Sequence, residues 1–352
     1  MRVTLLTCAT LLGTVAACEQ PKAAVPVADL RPVADTVLIA STEPPAGAWL
    51  GDDRWLVVSP NERKVAVVDM GRRTATPLGG ARSDAYRNPF GLFRAGDSAY
   101  VNDWGLARAT IWSLDGKLAG TLPVSKALRG ALPRARDAAG QYYYENTPAA
   151  GPDGSGYRDS AAVVRSTPDL ARFDTVARLA PPDLATVNGQ GGAHFERRAL
   201  SGSDRWGVLP DGTIWLARVI GNRVEWIAPN GTRTRGEALP DPVLPVSAED
   251  REMFYRQFPP ELRSNAEKIE FALVHPPFVA AMTAPDGTVW LEKSRTYGDS
   301  LQAWQLISRT GTLTQVFRIR GDGHLLALAP DLALVAEPYS DGYRLLTYRI
   351  PQ

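Results

Sequence analysis

The amino-acid sequence contains few of the residues from which catalytic and metal centres are most often built. Its 352 residues include two cysteines and three histidines. It has no glycine-rich phosphate loop, no Gly-x-Ser-x-Gly motif, no His-Glu-x-x-His motif and no cysteine pair at a metal-binding spacing. These absences remove the usual signatures of a nucleotide-binding protein, a serine hydrolase or a zinc protease. They lower the expectation of catalysis without eliminating it.

The sequence also lacks an excess of charge of one sign. Its 39 Lys and Arg residues balance 38 Asp and Glu residues, which gives a formal net charge of +1. Nucleic-acid binding usually needs a basic surface, so this balance predicts no nucleic-acid partner. Hydrophobic residues make up 44% of the chain and charged residues 22%, as is typical of a globular protein.

The apolar stretch near the N-terminus is too short to cross a membrane comfortably. Residues 3–15 follow the positive charge of Arg2, and a spanning helix needs about 20 apolar residues. The Val-Ala-Ala-Cys sequence that ends at Cys18 resembles the bacterial lipobox, in which the cysteine is lipidated and becomes the new N-terminus. We therefore predict a lipoprotein signal peptide at residues 1–17 and lipidation of Cys18, with an ordinary cleaved signal as the alternative.

Processing at Cys18 would leave no free thiol, because Cys8 would be discarded with the signal peptide. This suits an oxidising envelope compartment and excludes disulfides, Cys-ligated metals and Cys nucleophiles. Residues 18–32 are rich in proline and alanine and show no strand or helix pattern, so we expect a disordered, flexible tether. At about 3.1 Å per residue, this tether could hold the body a few tens of Å from the membrane.

A seven-residue repeat gives the clearest indication of the fold. The sequence Pro-Asp-Gly-Thr-Ile-Trp-Leu at residues 210–216 returns at residues 285–291 with Val in place of Ile. Asp-Gly makes a tight turn, and the β-branched and aromatic residues that follow are typical of a buried strand. Short strands separated by turn signals at intervals of roughly 8–12 residues continue along the chain, which favours an all-β architecture. The repeat indicates that this architecture is built from similar units.

We predict an all-β fold, a six-bladed β-propeller of four-stranded blades, for residues 33–352. The two copies of the repeat fall in blades four and five. Blade six lacks one strand, and we expect residues 36–40 to supply it and so close the ring. A helical insertion is predicted at residues 241–277, between blades four and five, because Ser247 and the acidic residues after it form a helix start. Residues 182–204 are expected to form a long flexible loop.

These features resemble a known group of bacterial proteins. Asp211-Gly212-Thr213-Ile214-Trp215, its second copy from Asp286, the Asn230-Gly231 turn and the helix start at Ser247 are similar to six-bladed β-propeller lipoproteins related to the NHL and TolB-like propellers. The resemblance covers blades four and five well and the remaining blades loosely. It implies a propeller fold and a location in the bacterial cell envelope, and it provides no catalytic residue that could be carried over.

The ends of the second strands of the blades supply the candidate site. Ligands of small propellers bind near the central channel, where strand ends from all blades meet. The polar residues that our alignment places at this level form the candidate ligand-binding collar: Asp103, Asn146, Arg218, Glu292, Lys293, Arg295 and Glu337. Polar strand ends that simply meet water, with charges paired across blades, are the alternative interpretation.

Three kinds of site were considered at this level. The oxygen-rich residues could hold Ca²⁺ or another divalent cation, as in lactonase-type propellers: Asn102, Asp103, Glu145, Asn146 and Glu337. The histidines could bind Zn²⁺ as in propeller lyases, although they occupy different blade positions: His194, His275 and His324. Simple capture of an anionic ligand could use Arg218, Lys293 and Arg295, with Trp104 or Tyr297 for stacking. Six strand tryptophans are instead expected to pack between blades: Trp55, Trp112, Trp215, Trp226, Trp290 and Trp304.

Together these patterns favour a non-catalytic binding or scaffold propeller. We expect a monomeric lipoprotein anchored in the bacterial cell envelope, facing the periplasm or the exterior, with a protein, peptide or glycan as its partner and no cofactor. The alternative is a metal-dependent hydrolase or lyase of the lactonase type. The metal hypothesis requires the collar oxygens to converge on one point, whereas a binding module requires an exposed apolar patch on one face.

Overall fold

The computed structural model describes residues 24–79, 85–150, 159–189 and 192–351. The predicted signal peptide, the lipidation site Cys18 and the first part of the tether lie outside these residues. Among the described residues, no helix is long and apolar enough to cross a membrane.

The described residues form six blades, each with four antiparallel strands, and one of the six sheets carries a fifth strand, so the predicted six-bladed β-propeller is confirmed. The chain starts with β1 (Val27–Asp29) and β2 (Arg31–Ile39). Blade one contains β3 (Ala46–Gly51), β4 (Arg54–Ser59), β5 (Lys64–Asp69) and β6 (Thr74–Pro77). Blade two contains β7 (Pro89–Ala95), β8 (Ser98–Asp103), β9 (Arg108–Ser113) and β10 (Leu118–Pro123).

Blades three and four are separated by an additional hairpin. Blade three contains β11 (Pro133–Arg136), β12 (Tyr142–Asn146), β13 (Ala162–Ser166) and β14 (Phe173–Arg178). The hairpin consists of β15 (Leu184–Gly189) and β16 (Gly192–Arg197). Blade four contains β17 (Arg205–Val208), β18 (Ile214–Arg218), β19 (Arg223–Ile227) and β20 (Arg233–Arg235). Our expectation of a flexible loop over residues 182–204 was wrong. The glycines of this segment suggested flexibility, but β15 and β16 pair along their whole length and hold the segment as a hairpin.

Helices occur between blades four and five, where the insertion was predicted. They are α1 (Ala248–Arg256), a 3₁₀ turn (Pro260–Leu262) and α2 (Arg263–Ala266). Blade five contains β21 (Phe278–Thr283), β22 (Val289–Lys293), β23 (Leu301–Ile307) and β24 (Leu313–Arg320). Blade six contains β25 (His324–Leu328), β26 (Leu332–Tyr339) and β27 (Gly342–Arg349). A second 3₁₀ turn (Lys126–Leu128) lies between blades two and three.

The N-terminal strand β2 closes the ring, as the incomplete sixth blade predicted. It pairs antiparallel with β27, and Val37 lies opposite Leu345. Its side chain is buried in a core that also contains Trp55 of blade one. A chain segment more than 300 residues away in sequence is therefore needed to complete blade six, where it covers the edge of β27.

The preceding strand β1 was not predicted. Residues 27–32, which were assigned to the tether, form β1 and the start of β2, and β1 adds a fifth strand to blade five by pairing parallel with β24. Asp29 forms an ion pair with Arg318 at 2.7 Å. The partner strand is 289 residues away, so no local sequence pattern could indicate this pairing.

The antiparallel order of the strands assigns each connection to one of two faces. The first strands of neighbouring blades contact one another and line the central channel. We call the face at which these first strands begin and the second strands end the upper face. The hairpin β15–β16 and the helical insertion both join the last strand of one blade to the first strand of the next, so both lie on the upper face. Since β1 runs parallel to β24, the described chain begins towards the opposite, lower face.

The six strand tryptophans all lie in cores between blades, as predicted. Trp215 and Trp226 share one core with residues of blade five, and Trp290 and Trp304 share another with residues of blade six. Trp55 packs between blades six and one, and Trp112 packs against residues of blade one. The repeated Trp is therefore a structural element of the ring.

Candidate functional site

The predicted collar residue Asp103 is a buried structural carboxylate. It ends β8 and is 0% exposed. Its two oxygens accept hydrogen bonds from the backbone N–H groups of Arg87 at 2.8 Å, Asn88 at 2.9 Å and Leu106 at 3.0 Å. These bonds fix the loops on both sides of the strand end, so Asp103 does not face the channel as a free ligand.

Glu337 is likewise occupied within its own blade. Its carboxylate accepts hydrogen bonds from Arg344, at 2.6 Å and 2.9 Å, and from the hydroxyl of Tyr348 at 2.6 Å. Glu337 and Arg344 are cross-strand neighbours on β26 and β27. The side chain therefore stabilises blade six.

The two charged residues that follow the repeated motif are both paired. Arg218 donates to Asp204 at 2.7 Å, to Glu225 at 3.0 Å and to the backbone carbonyl of Arg178 at 2.8 Å. Lys293 forms an ion pair with Asp241. Neither cation is available for the anionic ligand that we expected it to bind.

Asp241 is the point at which the helical insertion joins the ring. Besides its ion pair with Lys293, it accepts hydrogen bonds from the side-chain amides of Asn222 and Gln305, each at 2.7 Å. These groups come from blades four and five. The cluster fixes the start of the insertion between the two blades.

Glu292 and Arg295 lie next to each other in blade five. Their charged groups are 3.9 Å apart, and Arg295 also donates to the backbone carbonyl of Asp299 at 3.2 Å. Burial raises the pKa of Glu292, and the positive charge of Arg295 acts in the opposite direction.

The five oxygen-rich residues proposed for a cation do not come together. Asn102 donates to the backbone carbonyl of Pro133 at 2.8 Å, and Asn146 accepts from Arg129 at 3.4 Å. Asp103 and Glu337 are held as described above, and Glu145 forms an ion pair with Arg134. Within the described ranges, no group of three His, Cys, Asp or Glu side chains could hold a metal ion. The described residues therefore give no support to the cation site.

The three histidines also lie apart. His194 contacts Glu196 within the hairpin at 2.7 Å, and His275 contacts Asp250 at 3.0 Å. His324 begins the first strand of blade six and stacks edge-on against Tyr343. A shared zinc site does not form.

An open apolar groove lies on the upper face, between the hairpin and the helical insertion. Its volume is about 1040 Å³. Three aliphatic side chains in it are strongly exposed: Ile220 at 77%, Val243 at 73% and Leu273 at 86%. Five prolines also line it: Pro181, Pro182, Pro242, Pro276 and Pro277. Exposed aliphatic side chains gathered in one concave surface are typical of a contact surface for a partner.

The wall of the groove is held in place by the capped helix α1. Ser247 and Asp250 form a capping box at its N-terminus. Asp250 also contacts His275 at 3.0 Å and accepts from the backbone N–H of Tyr297 at 3.1 Å, which ties the helix to blade five. Burial alone would raise the pKa of Asp250, but the hydrogen bonds from His275, Ser247 and Tyr297 outweigh it and hold this pKa well below its ordinary range.

The helix packs on the groove through aromatic side chains. Phe271, which lines the groove, lies 5.2 Å from the ring of Phe254 and 5.6 Å from that of Tyr255. Phe254 also packs on Phe258. The aromatic side chains of the helix therefore support the groove through Phe271.

Two further cavities occupy the upper end of the central channel, with volumes of about 470 and 550 Å³. They share Arg134, Glu145 and Trp206. Trp206 donates its indole N–H to Glu145 at 2.8 Å, and the guanidinium of Arg134 lies 5.6 Å from the Trp206 ring centre. Trp104, one of the predicted stacking residues, lies at the edge of the smaller cavity beside Phe90, with 5.4 Å between ring centres.

The channel residues were missed because our alignment used the second strands, whereas the first strands line the channel. Arg134 and Arg205 lie at the starts of the first strands of blades three and four, and Phe90 of blade two and Val279 of blade five also lie at the starts of first strands. All four residues are exposed. An alignment of the first strands could have found them, but only the first strands of blades two and six were recognised from the sequence.

The comparisons with known proteins support the fold alone. No protein-family model and no curated protein matches the chain. A member of the DUF4221 family from Bacteroides vulgatus is similar in structure at 8% identity and a TM-score of 0.53, over 92% of this chain and 99% of that one. A protein from Bacteroides fragilis is similar at 7% identity and a TM-score of 0.50, over 92% and 94%. A gluconolactonase from Xanthomonas campestris reaches 13% identity over 90% and 99% of the two chains, but its TM-score of 0.45 is too low to carry an argument.

Proposed function

We propose that the protein is a lipid-anchored binding propeller of the bacterial cell envelope, and that it binds an apolar peptide segment of a partner protein in the groove of the upper face. The groove is the observation that carries this proposal, because Ile220, Val243 and Leu273 expose aliphatic surface there that water solvates poorly. Burial of such surface by a partner contributes roughly 25 cal/mol per Å² before the costs of association.

The chemistry of the groove favours a peptide over a glycan. Its surface is dominated by aliphatic and proline side chains, which offer no hydrogen bonds to sugar hydroxyl groups. The charged residues along it are paired, Asp183 with Arg198 at 3.3 Å and Asp241 with Lys293. With about 1040 Å³, the groove is at the upper limit of typical small-molecule sites, and it is open to solvent along its length.

The start of the described chain and the groove lie towards opposite faces of the ring. The lipobox-like sequence at Cys18 supports the anchor, and the described chain leaves the body towards the lower face at residue 24. The groove is on the upper face, where it would point away from the membrane. This arrangement suits a partner in the periplasm or outside the cell, and it fits the resemblance to NHL and TolB-like propeller lipoproteins.

We do not propose the lactonase-type alternative. It required Asp103, Asn146 and Glu337 to converge, and each of these side chains makes its hydrogen bonds in a different direction. We propose a monomer, since the groove is complete within one chain.

A peptide-selection experiment tests the proposed binding. A random peptide library is selected on the immobilised protein, and the affinity of an enriched, labelled peptide is measured by fluorescence polarisation. Leu273→Asp and Ile220→Asp should each weaken binding about tenfold or more, which corresponds to about 1.4 kcal/mol. Leu118→Asp is the matched control, because Leu118 is exposed on the outer strand of blade two.

Two outcomes would overturn the binding proposal. In one, enriched peptides bind the groove variants as tightly as the unmodified protein. In the other, an array of bacterial glycans yields binders whose affinity depends on Leu273 while peptides yield none. The anchor is tested separately, since Cys18→Ser should move the protein from the membrane fraction to the soluble fraction and abolish labelling by a palmitate analogue.

A further inference from the structure

We propose that the larger of the two channel cavities binds a small anion bearing carboxylate or phosphate groups, held by Arg134, Arg197 and Arg205. This site is separate from the apolar groove. The proposal rests on the position of the three arginines, on the carboxylates available to neutralise them and on their access to solvent.

Three different elements bring these arginines to one cavity. Arg134 begins the first strand of blade three, Arg205 begins the first strand of blade four, and Arg197 ends the hairpin strand β16. All three line the cavity of about 550 Å³. That volume is within the range of sites for small ligands.

The carboxylates of the cavity neutralise only one of these three charges, that of Arg134. Glu145 is held by Arg134 and by the indole N–H of Trp206. Asp204 is buried and forms an ion pair with Arg218, with 2.7 Å between its carboxylate oxygen and the guanidinium nitrogen. It also accepts hydrogen bonds from the backbone N–H groups of Ala180 and Val219. Three guanidinium groups therefore share one carboxylate in this part of the channel.

Arg205 and Arg197 bond to uncharged oxygens. Arg205 donates to the backbone carbonyl of Val279 at 2.9 Å. Arg197 donates to the hydroxyl and the carbonyl of Ser201, both at 3.1 Å. Within the described part of the chain, neither has an ion pair with a carboxylate, and each guanidinium keeps further N–H groups for a ligand.

The three charges are also close enough to act on one another. Partial desolvation of the Arg205 guanidinium by the cavity wall lowers the pKa of Arg205, and the positive charges of Arg134 and Arg197 lower it further, against the opposing effect of Glu145. An arginine remains charged under these conditions. An anion among the three would relieve this repulsion, and it would gain forked hydrogen bonds of the kind that arginine makes with carboxylate and phosphate oxygens.

The cavity is accessible, and its arginines are held in position. Arg134 and Arg205 are both exposed, so a ligand can reach them from the channel. The guanidinium of Arg134 lies 5.6 Å from the ring centre of Trp206, which limits the directions in which it can point. A site with charged groups already in place loses little conformational entropy on binding.

Isothermal titration of the purified protein at low ionic strength tests this inference, with citrate and inorganic phosphate as separate probes. We expect at least one of the two anions to bind, with an affinity that falls as salt is added. Arg205→Gln and Arg197→Gln should each weaken binding about tenfold or more, while Arg172→Gln, an exposed arginine outside the channel, should leave it unchanged. The groove variant Leu273→Asp should also bind the anion normally, which separates this inference from the proposed function.

A chemical measurement on the unmodified protein tests the inference even if the variants fail to fold. Phenylglyoxal modifies accessible arginines of the unmodified protein, and mass spectrometry then gives the extent of modification at each position. Citrate or phosphate should protect Arg134, Arg197 and Arg205 but not Arg172. The inference is wrong if neither anion binds at millimolar concentration, if both channel variants bind as tightly as the unmodified protein, or if the three channel arginines are not protected.

Discussion

Blades four and five contain almost the same seven residues, at the turn into the second strand, and share the geometry of that segment. In blade four, Asp211 accepts a hydrogen bond from the backbone N–H of Thr213 at 2.9 Å, and in blade five Asp286 accepts from that of Thr288 at 2.8 Å. The glycine of the turn has a φ of 81° in the first copy and 86° in the second. This positive φ is the reason for Gly at the position, because a side chain would strain the turn.

The tryptophans of the two copies differ only in their immediate neighbours. Each is 2% exposed in a core between blades. Trp215 donates its indole N–H to the hydroxyl of Thr283 at 2.6 Å, whereas Trp290 packs against Phe317 with 5.1 Å between ring centres. The same residue therefore closes two successive blade interfaces with different partners.

Beyond the motif, the two blades diverge in charge. Ala217 and Arg218 of blade four correspond to Glu292 and Lys293 of blade five. We expected ligand specificity at these divergent positions. Instead, Arg218 and Lys293 neutralise carboxylates that hold neighbouring segments, and the exposed groups of the channel belong to the first strands. The two blades differ at these positions because each is followed or preceded by a different connecting segment, and the charged residue of each blade holds a carboxylate of that segment.

The change with the largest expected effect tests whether blade six needs β2, a strand from the other end of the chain. Deletion of residues 33–40 removes most of β2 and should abolish cooperative thermal unfolding or lower the Tm by about 10 °C or more, since blade six loses its fourth strand and the ring its closure. Removal of β1 alone should cost much less, because blade five keeps four strands. Similar melting curves for the β2 deletion and the full chain would show that the closure is wrong.

The next effect tests the two charged residues that follow the motif. Arg218→Met should lower the free energy of unfolding by about 3–5 kcal/mol, because Asp204 and Glu225 lose a shared, largely buried partner. Lys293→Met should cost less, since Asp241 keeps the amide groups of Asn222 and Gln305. Denaturant unfolding of both variants measures the difference, and equal losses would contradict this assignment.

A third effect concerns the acid stability of the insertion between the two blades. The pKa of Asp250 is lowered in the folded protein, so its contribution to stability is present above the ordinary value of 3.8 and is lost as the pH falls below that value. Asp250→Asn should cost about 1–3 kcal/mol at pH 7 and should reduce the loss of stability below pH 4. Thermal unfolding between pH 3 and pH 7 checks this, with the exposed Asp286→Asn as control. An unchanged acid limb in Asp250→Asn would show that the carboxylate does not anchor the helix.

The smallest effect concerns the first position at which the blades differ. The pKa of Glu292 is raised in the folded protein, so its favourable contribution is present below the ordinary value of 4.5 and is lost as the pH rises through the folded pKa. Glu292→Gln should therefore stabilise the protein by up to about 1 kcal/mol at pH 7.5 and by nothing at pH 4. Ala217→Glu, the converse change in blade four, should destabilise it at pH 7.5. A loss of stability in Glu292→Gln at pH 7.5 would mean that the ionised carboxylate has a partner in the fold.

The sequence predicted the blades where strands are rich in β-branched and aromatic residues, and it failed where they are not. The repeat at residues 210–216 and 285–291 belongs to such strands, the second strands of blades four and five. The first strands of blades one, three, four and five give a weaker signal, because they are short or contain Gly, Ala, Pro and Arg, as in Pro133–Arg136 and Ala46–Gly51. Several of them contain bulges, which interrupt the alternation of buried and exposed residues.

The candidate site stays a prediction. Trp104 and Glu145 line cavities at the upper ends of the blades. The charged side chains of the collar do not form one group, because pairing partners such as Asp204 and Asp241 lie in connections with no repeat to align. An exposed apolar patch, which a binding module requires, is present in the groove beside the helical insertion.

The sequence by itself determined the repeated unit: the Asp-Gly turn, the buried strand with its Trp and the cap at Ser247 depend on neighbouring residues along the chain. Tertiary structure alone decided which charges remain without a partner. Arg218 is neutralised by a carboxylate 14 residues away, whereas Arg134, Arg197 and Arg205 meet from three separate elements with one carboxylate among them. The pairing of a charge depends on distances across the ring, which no local pattern encodes, and so the channel and the groove became visible only in the folded chain.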